Sequence, residues 1–194
     1  MSSLARERRV FHSESDFQFA FGWQVKTLYP NALVFFEKPA TLRPPGSTFY
    51  VELDLLVVLD GTKTAIEMKY PKAEWRGVDA GVEFNLPGGS PRDLQLRLFA
   101  EDLARVEQLV AQGDVDHGHA IMLTNFALMW SDCRPNTQFS EFVLTDGRRL
   151  PSQLNWAGDP QNKYSVALRG SHTVAWTPFS DLPGTKFRYL SLDA

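Results

Sequence analysis

Asp54, Glu67 and Lys69 are the residues whose types and spacing best suit chemistry. Asp54 lies in VELDLLVV, and after twelve intervening residues Glu67 and Lys69 follow in AIEMKY. Carboxylates set among apolar strand residues are costly unless they are paired or bind a metal. Hard cations favour oxygen ligands, and Mg²⁺ commonly takes one or two carboxylates while keeping waters for substrate phosphate oxygens. Bound metal lowers the pKa of a coordinated water and offsets charge in the transition state. A lysine two residues from a strand-borne carboxylate lands on the same face, with its ammonium beside an attacked phosphorus. The pattern points to metal-assisted hydrolysis, and the competing reading is an internal ion-pair network.

These residues need rigid elements to hold them. Apolar runs flank Asp60-Gly61, and Asp-Gly between such runs predicts a β-hairpin over residues 50–70. Strand alternation places Glu52 with Asp54 on the first strand and Glu67 with Lys69 on the second. Glu52 reads as a charge at the sheet margin. Upstream, Ser13 and Asp16 form a helix start with capping-box spacing, and Phe17, Phe21, Val25 and Leu28 repeat at helical period until Pro30. Glu14 falls on or beside that inward face, so it either favours the helix dipole or aims at the same interior site as the hairpin.

Residues 31–38 read as a first strand, and the breakers in PATLRPPGST predict a loop. Residues 72–89 show no period and read as a long connection bordering the site, with Trp75 and Phe84 packing over the core. Ser90-Pro91-Arg92-Asp93 opens the strongest helix, whose buried stripe is Leu96, Phe99, Leu103, Val106 and Val110, ended by Gly113. Residues 119–126 are a further strand, so the helix joins strand to strand as a βαβ crossover does. Beyond them, short strands are predicted at 138–144, 163–168, 173–176 and 187–192, with a turn at Asp146-Gly147.

Composition bounds the rest. A chain of 194 residues with 43% hydrophobic and 22% charged residues suits one globular domain and argues against long disorder. A formal charge of −3 carries no global positive field for nucleic acid, although Lys63, Lys69, Lys72 and Arg76 form a local basic strip. The lone Cys133 excludes an internal disulfide and fits a reducing compartment. MSSLARERRV lacks a signal-peptide core and no apolar run reaches membrane-spanning length, so the expectation is a soluble, cytoplasmic protein. His12, His117, His119 and His172 lack metal-ligand spacing, and Trp130 and Trp156 read as core.

The order helix, strand, two-stranded hairpin, helix, strand, with Asp54 and then Glu67-x-Lys69, resembles the PD-(D/E)xK nuclease superfamily. Leu53 stands where that motif often has Pro. SESDFQFAFGWQVKTLYPNA, AIEMKY and DLARVEQL are similar to a group of uncharacterised bacterial members, and the resemblance spans residues 13–156. It implies an α/β fold of the restriction-endonuclease-like type: an αβββαβ core at 13–126, a mixed sheet flanked by helices, and a β-rich C-terminal extension at 127–194 within a single domain.

The resemblance further implies Mg²⁺, or Mn²⁺ in its place, held by Asp54 and Glu67, with Lys69 orienting or activating the attacking water. Glu14 matches an acid that many members carry on the first helix. Gln18, Lys72, Arg76 and Gln95 are the expected substrate contacts, and Gln95 with Phe99 echoes a Gln-x-x-x-Tyr motif that lacks its Tyr here. The expected function is Mg²⁺-dependent hydrolysis of phosphodiester bonds, with DNA as the partner. The alternative is a degenerate module that binds nucleic acid or a protein without cleaving. Oligomeric state is left open, a homodimer included.

Overall fold

The computed structural model describes every residue except 90 and 135. The expected capping role of Ser90 therefore lies outside the described residues. Helices α1 (Ser2–Glu7), α2 (Glu14–Leu28) and α3 (Arg92–Ala111) surround a six-stranded mixed sheet. Its strands are β1 (Leu33–Leu42), β2 (Phe49–Leu59), β3 (Thr62–Lys69), β6 (His117–Thr124), β10 (Thr185–Asp193) and β9 (Thr177–Leu182), in that spatial order. Small hairpins are made by β4 (Trp75–Asp79) with β5 (Val82–Leu86) and by β7 (Gln153–Leu154) with β8 (Val166–Ala167).

The β2–β3 hairpin forms as its sequence predicts. Asp60 and Gly61 take φ of 49° and 84°, the doubly left-handed turn that Asp-Gly tolerates and that matches strand twist. β3 and β6 are the parallel pair, in register Glu67↔Ala120 and Lys69↔Met122. A parallel pair requires a crossover, here built around α3. Leu96, Phe99, Leu103 and Val106 are buried as expected, while Leu109 replaces the half-buried Val110 as the last core contact.

Helix α2 packs less deeply than its spacing predicts. Phe17 is buried, Phe21 and Val25 are half-buried, and Leu28 is exposed. Its close approach comes at Gly22, where a Cβ would stand 2.5 Å from the Phe36 ring. Ser13 caps the helix by accepting the Asp16 N–H at 3.1 Å. The Asp16 carboxylate turns away to Arg8 and the His12 N–H, so the reciprocal half of the capping box does not form.

The core divides into two layers, one on each side of the sheet. Phe17, Leu55, Ile66, Met68 and Tyr70 lie in the α2 layer, and Leu53, Ala65, Met122 and the buried stripe of α3 in the other. Leu53 and Leu55 should share a face in a regular strand, yet they fall in opposite layers. On β1, Val34 and Phe36 likewise pack on the α2 side whereas Ala40 and Leu42 pack on the α3 side. The crossing point is Glu37, with φ of 48°, opposite Asp54 between the pairs Phe36↔Leu55 and Lys38↔Leu53. The β1–β2 ribbon therefore turns over at Asp54, and its far end wraps toward α3.

Several expectations differ from the fold. Residues 72–89, expected as an irregular connection, contain the β4–β5 hairpin, turning at Ala80 and Gly81 with φ of 49° and 80°. The first strand continues through Pro39 to Leu42, beyond its predicted end, because the outer edge of β1 needs no N–H there. Residues 138–144 hold a short 3₁₀ turn, Ser140–Phe142, instead of a strand. Of the region read as an extension, β9 and β10 are members of the main sheet, β10 pairing with both β6 and β9. No helix among the described residues is long and apolar enough to cross a membrane.

One buried acid fastens the C-terminal segment to α3. Glu107 accepts the N–H groups of Arg169 (2.8 Å) and Gly170 (2.6 Å) and contacts His172 Nε2 at 2.8 Å. Burial works to raise its pKa, but these bonds outweigh it and hold the carboxyl below the usual range. Glu107→Ala leaves two part-buried backbone N–H groups and the buried His172 without their acceptor and should lower unfolding stability by about 3 kcal/mol in urea denaturation. A loss below about 1 kcal/mol would show that packing alone holds the segment.

Candidate active site

The ladder between β2 and β3 stops at Leu55↔Ile66, one step before Asp54 and Glu67 would pair. Asp54 Oδ2 accepts the Met68 N–H at 2.6 Å, filling by side chain the place of a ladder bond. The two strands thus open where Asp54 and Glu67 stand. Ile66 and Met68 face the α2 layer, so Glu67 and Lys69 share the opposite face, as alternation predicts, and that face is the α3 side. Glu52 is exposed, and because alternation breaks at Asp54 it is not carried onto the site face.

Glu14 is the first residue of α2, and its Oε2 accepts the Tyr70 N–H at 2.7 Å. Its Oε1 lies 3.9 Å from Lys69 Nζ, so the first helix does aim an acid at the hairpin. Two residues not foreseen from the sequence come from α3. Asp102 Oδ2 is 2.9 Å from Lys69 Nζ, and Arg105 Nη1 is 2.8 Å from Glu67 Oε1 and 3.4 Å from Asp102 Oδ1. The signal for Asp102 was present: it stands three residues after Phe99 and four before Val106, inside the buried stripe of its own helix. Arg105 follows at i+3, the spacing of a helical ion pair.

Four carboxylates therefore surround two cations. Burial drives the Glu67 pKa up to about 8, with the charges of Asp102 and Asp54 adding to it against Arg105. Burial also raises Asp102, to about 6, against the pull of Lys69 and Arg105. Glu14 is raised by burial despite Lys69. For Lys69, burial favours the neutral amine, but Asp102 and Glu14 outweigh it and keep the ammonium charged.

Among the described residues no three His, Cys, Asp or Glu side chains converge to enclose a metal ion as they stand. The donor set nevertheless fits a hard divalent cation. Its ligands are all oxygen, its acids outnumber its bases by two, and Asp102 Oδ2 is a buried oxygen with no hydrogen-bond donor, its Lys69 contact being ionic but poorly angled. Asp54 Oδ1 and Glu67 Oε2 take no hydrogen bond from the described residues.

Of this cluster, Glu14 and Lys69 line a cleft of about 490 Å³, together with Lys72, Gln95, Leu98 and Gly89 among others. Gly89 is required by close approach, since a Cβ there would lie 2.8 Å from the Lys72 carbonyl oxygen. Lys72 and Gln95 thus reach the cleft, while Phe99, the Tyr-equivalent position, is buried in the core. Gln18 does not line this cleft, and Arg76 borders a separate depression on the β4–β5 hairpin. A larger cavity of about 760 Å³ lies on the other face of the sheet, over Phe21, Val57 and Ile121, away from the acids. His12 stacks on Phe84, while His119 pairs with Asp193 and His172 with Glu107, so the described histidines form no cluster.

Comparison with protein-family models, with curated proteins and with solved structures found no significant match. What the site does must be argued from its own geometry.

Between the ordinary carboxyl pKa and about 8, folded protein binds more protons at Glu67 than unfolded chain does, so metal-free stability falls as pH rises through that window. Asp102 adds to the slope up to about pH 6. Glu67→Gln keeps an acceptor for Arg105 but cannot ionise. Its thermal melts should lose less stability between pH 5 and pH 8 than wild type, by on the order of 2 kcal/mol; parallel pH curves would remove Glu67 as the titrating group.

Proposed function

We propose that this protein is a Mg²⁺-dependent nuclease of the PD-(D/E)xK type with a restriction-endonuclease-like fold, hydrolysing phosphodiester bonds in DNA. The observation that carries the reading is the opening of β2 from β3 at Asp54. There Asp54, Glu67 and Lys69 stand close to Glu14, and Lys69 and Glu14 line one cleft. The element order of α2, β1, β2, β3, α3 and β6, with β3 parallel to β6, supports the fold assignment.

Asp54 and Glu67 are the residues that would hold the metal, which when bound supplies charge neutralisation and a more acidic water. Asp54 is fixed for this by its bond to Met68 N–H, and Glu67 by a strand that is hydrogen-bonded to β6. Lys69 keeps its proton beside Asp102 and Glu14 and places a positive charge at the cleft floor, where a phosphate oxygen and its attacking water would be oriented. Glu14 holds Lys69 from the α2 side. Lys72, over the Tyr70 ring and contacting the His12 carbonyl at 3.2 Å, lines the same cleft and offers the nucleic-acid backbone a second cation.

A second reading is favoured by one observation: Glu67 and Lys69 already have partners in Arg105 and Asp102. A module so neutralised would bind DNA or a protein without cutting. Incubation with supercoiled plasmid and linear duplex plus Mg²⁺ or Mn²⁺ separates the two. Wild type should nick or cut, with Lys69→Ala and Asp54→Ala slower by about 100-fold or more. Equal rates in wild type and Lys69→Ala sink the nuclease assignment, and DNA binding without cleavage or metal uptake favours the second reading.

A further inference from the structure

The two cations of the site are held differently. Lys69 lies between Asp102 and Glu14, with its side chain 16% exposed. Arg105 is 27% exposed and gives Glu67 a single hydrogen bond, from Nη1 to Oε1. Its guanidinium is not used as a fork. Contrast Arg8, which clasps both oxygens of Asp16 at 2.8 and 2.7 Å. Arg105 is therefore the cation that holds Glu67, through one bond only, and the more exposed of the two. Yet Glu67 is only 1% exposed, and a buried carboxylate left without a counter-charge is strongly destabilising. Whenever Glu67 is ionised, a cation is needed beside it.

We propose that Arg105 is a resident counter-ion for the Glu67–Asp102 pair, and that a divalent cation loads only by displacing its guanidinium from Glu67. The inference rests on the metal-binding reading given above and adds to it a residue that sets how tightly the metal is held. Arg105 is a positioning residue: it acts through Glu67. Without metal it orients Glu67 under α3 through its hydrogen bond to Oε1, and toward metal it is a competitor of like sign. Lys69 is not the displaced group, because its contacts are with Asp102 and Glu14 and not with Glu67.

Mn²⁺ titration by calorimetry, with thermal melts at each metal concentration, tests this on wild type and Arg105→Gln. The variant should melt below wild type without metal, bind Mn²⁺ at least about tenfold more tightly, and gain more in Tm at saturating Mn²⁺. Equal or weaker Mn²⁺ binding by a folded variant overturns the displacement and leaves the nuclease reading standing. No Mn²⁺ binding by either protein overturns both. A second measurement needs no variant to fold: ¹⁵N spectra of the wild-type arginine side chains with and without Mg²⁺. The Arg105 guanidinium signals should change from hindered to freely rotating as Mg²⁺ saturates, and unchanged signals while Mg²⁺ binds overturn the proposal.

Discussion

The carboxylate of Asp54 takes over from the backbone at the one place where the central sheet opens. Its bond to Met68 N–H satisfies a donor that the β2–β3 ladder abandons, and so allows β2 to leave the plane of β3 without an unpaired buried amide. Opposite it, Glu37 absorbs the turn-over of β1 in a left-handed conformation that costs a residue with a Cβ something to adopt. Together they put Leu53 and Leu55 in different layers of the core. A regular strand would have closed the space now occupied by four acids.

That space is electrostatically tense by construction. Four carboxylates and two cations share a pocket where water is scarce, and every carboxyl pKa that moves there moves upward. Such clusters contribute little to stability once desolvation is charged against them, and replacement by apolar residues of similar size is often neutral or better. The cluster is therefore not what holds the fold. The fold has ample other support, in two apolar layers and in the Glu107 anchor on the far side of α3.

What could be read from the sequence follows from how local each cause is. The β2–β3 hairpin was legible because Asp60-Gly61 tolerates its turn, and α3 because its stripe repeats over five turns. The β4–β5 hairpin was missed because Ala80 occupies a left-handed position usually given to Asn, Asp or Gly. The place of β10 between β6 and β9 depends on pairings some 70 residues apart in sequence, which no local pattern encodes. At the site, Asp54, Glu67, Lys69 and Glu14 were visible as charges out of keeping with apolar surroundings. Asp102 was visible by the same criterion and overlooked, since an acid in a charged helix attracts no notice until its phase is counted. The face change at Asp54 was hidden, because it arises between two strands.

The hairpin β4–β5 has a bearing on how the molecule comes into being. Its Asp79 is gripped by Arg9, and its Trp75 indole donates to the Pro183 carbonyl at 3.0 Å, in the turn between β9 and β10. The hairpin is thus pinned to residues lying on both sides of it in the chain, the later one 108 positions away. β6, next to the strand that carries Glu67 and Lys69, likewise keeps a bare edge until residues 185–193 arrive to pair with it. All four acids precede residues 185–193 in the chain. Covering the edge of β6, an open template for pairing with any neighbouring strand, thus falls to the last strand of the sheet in chain order.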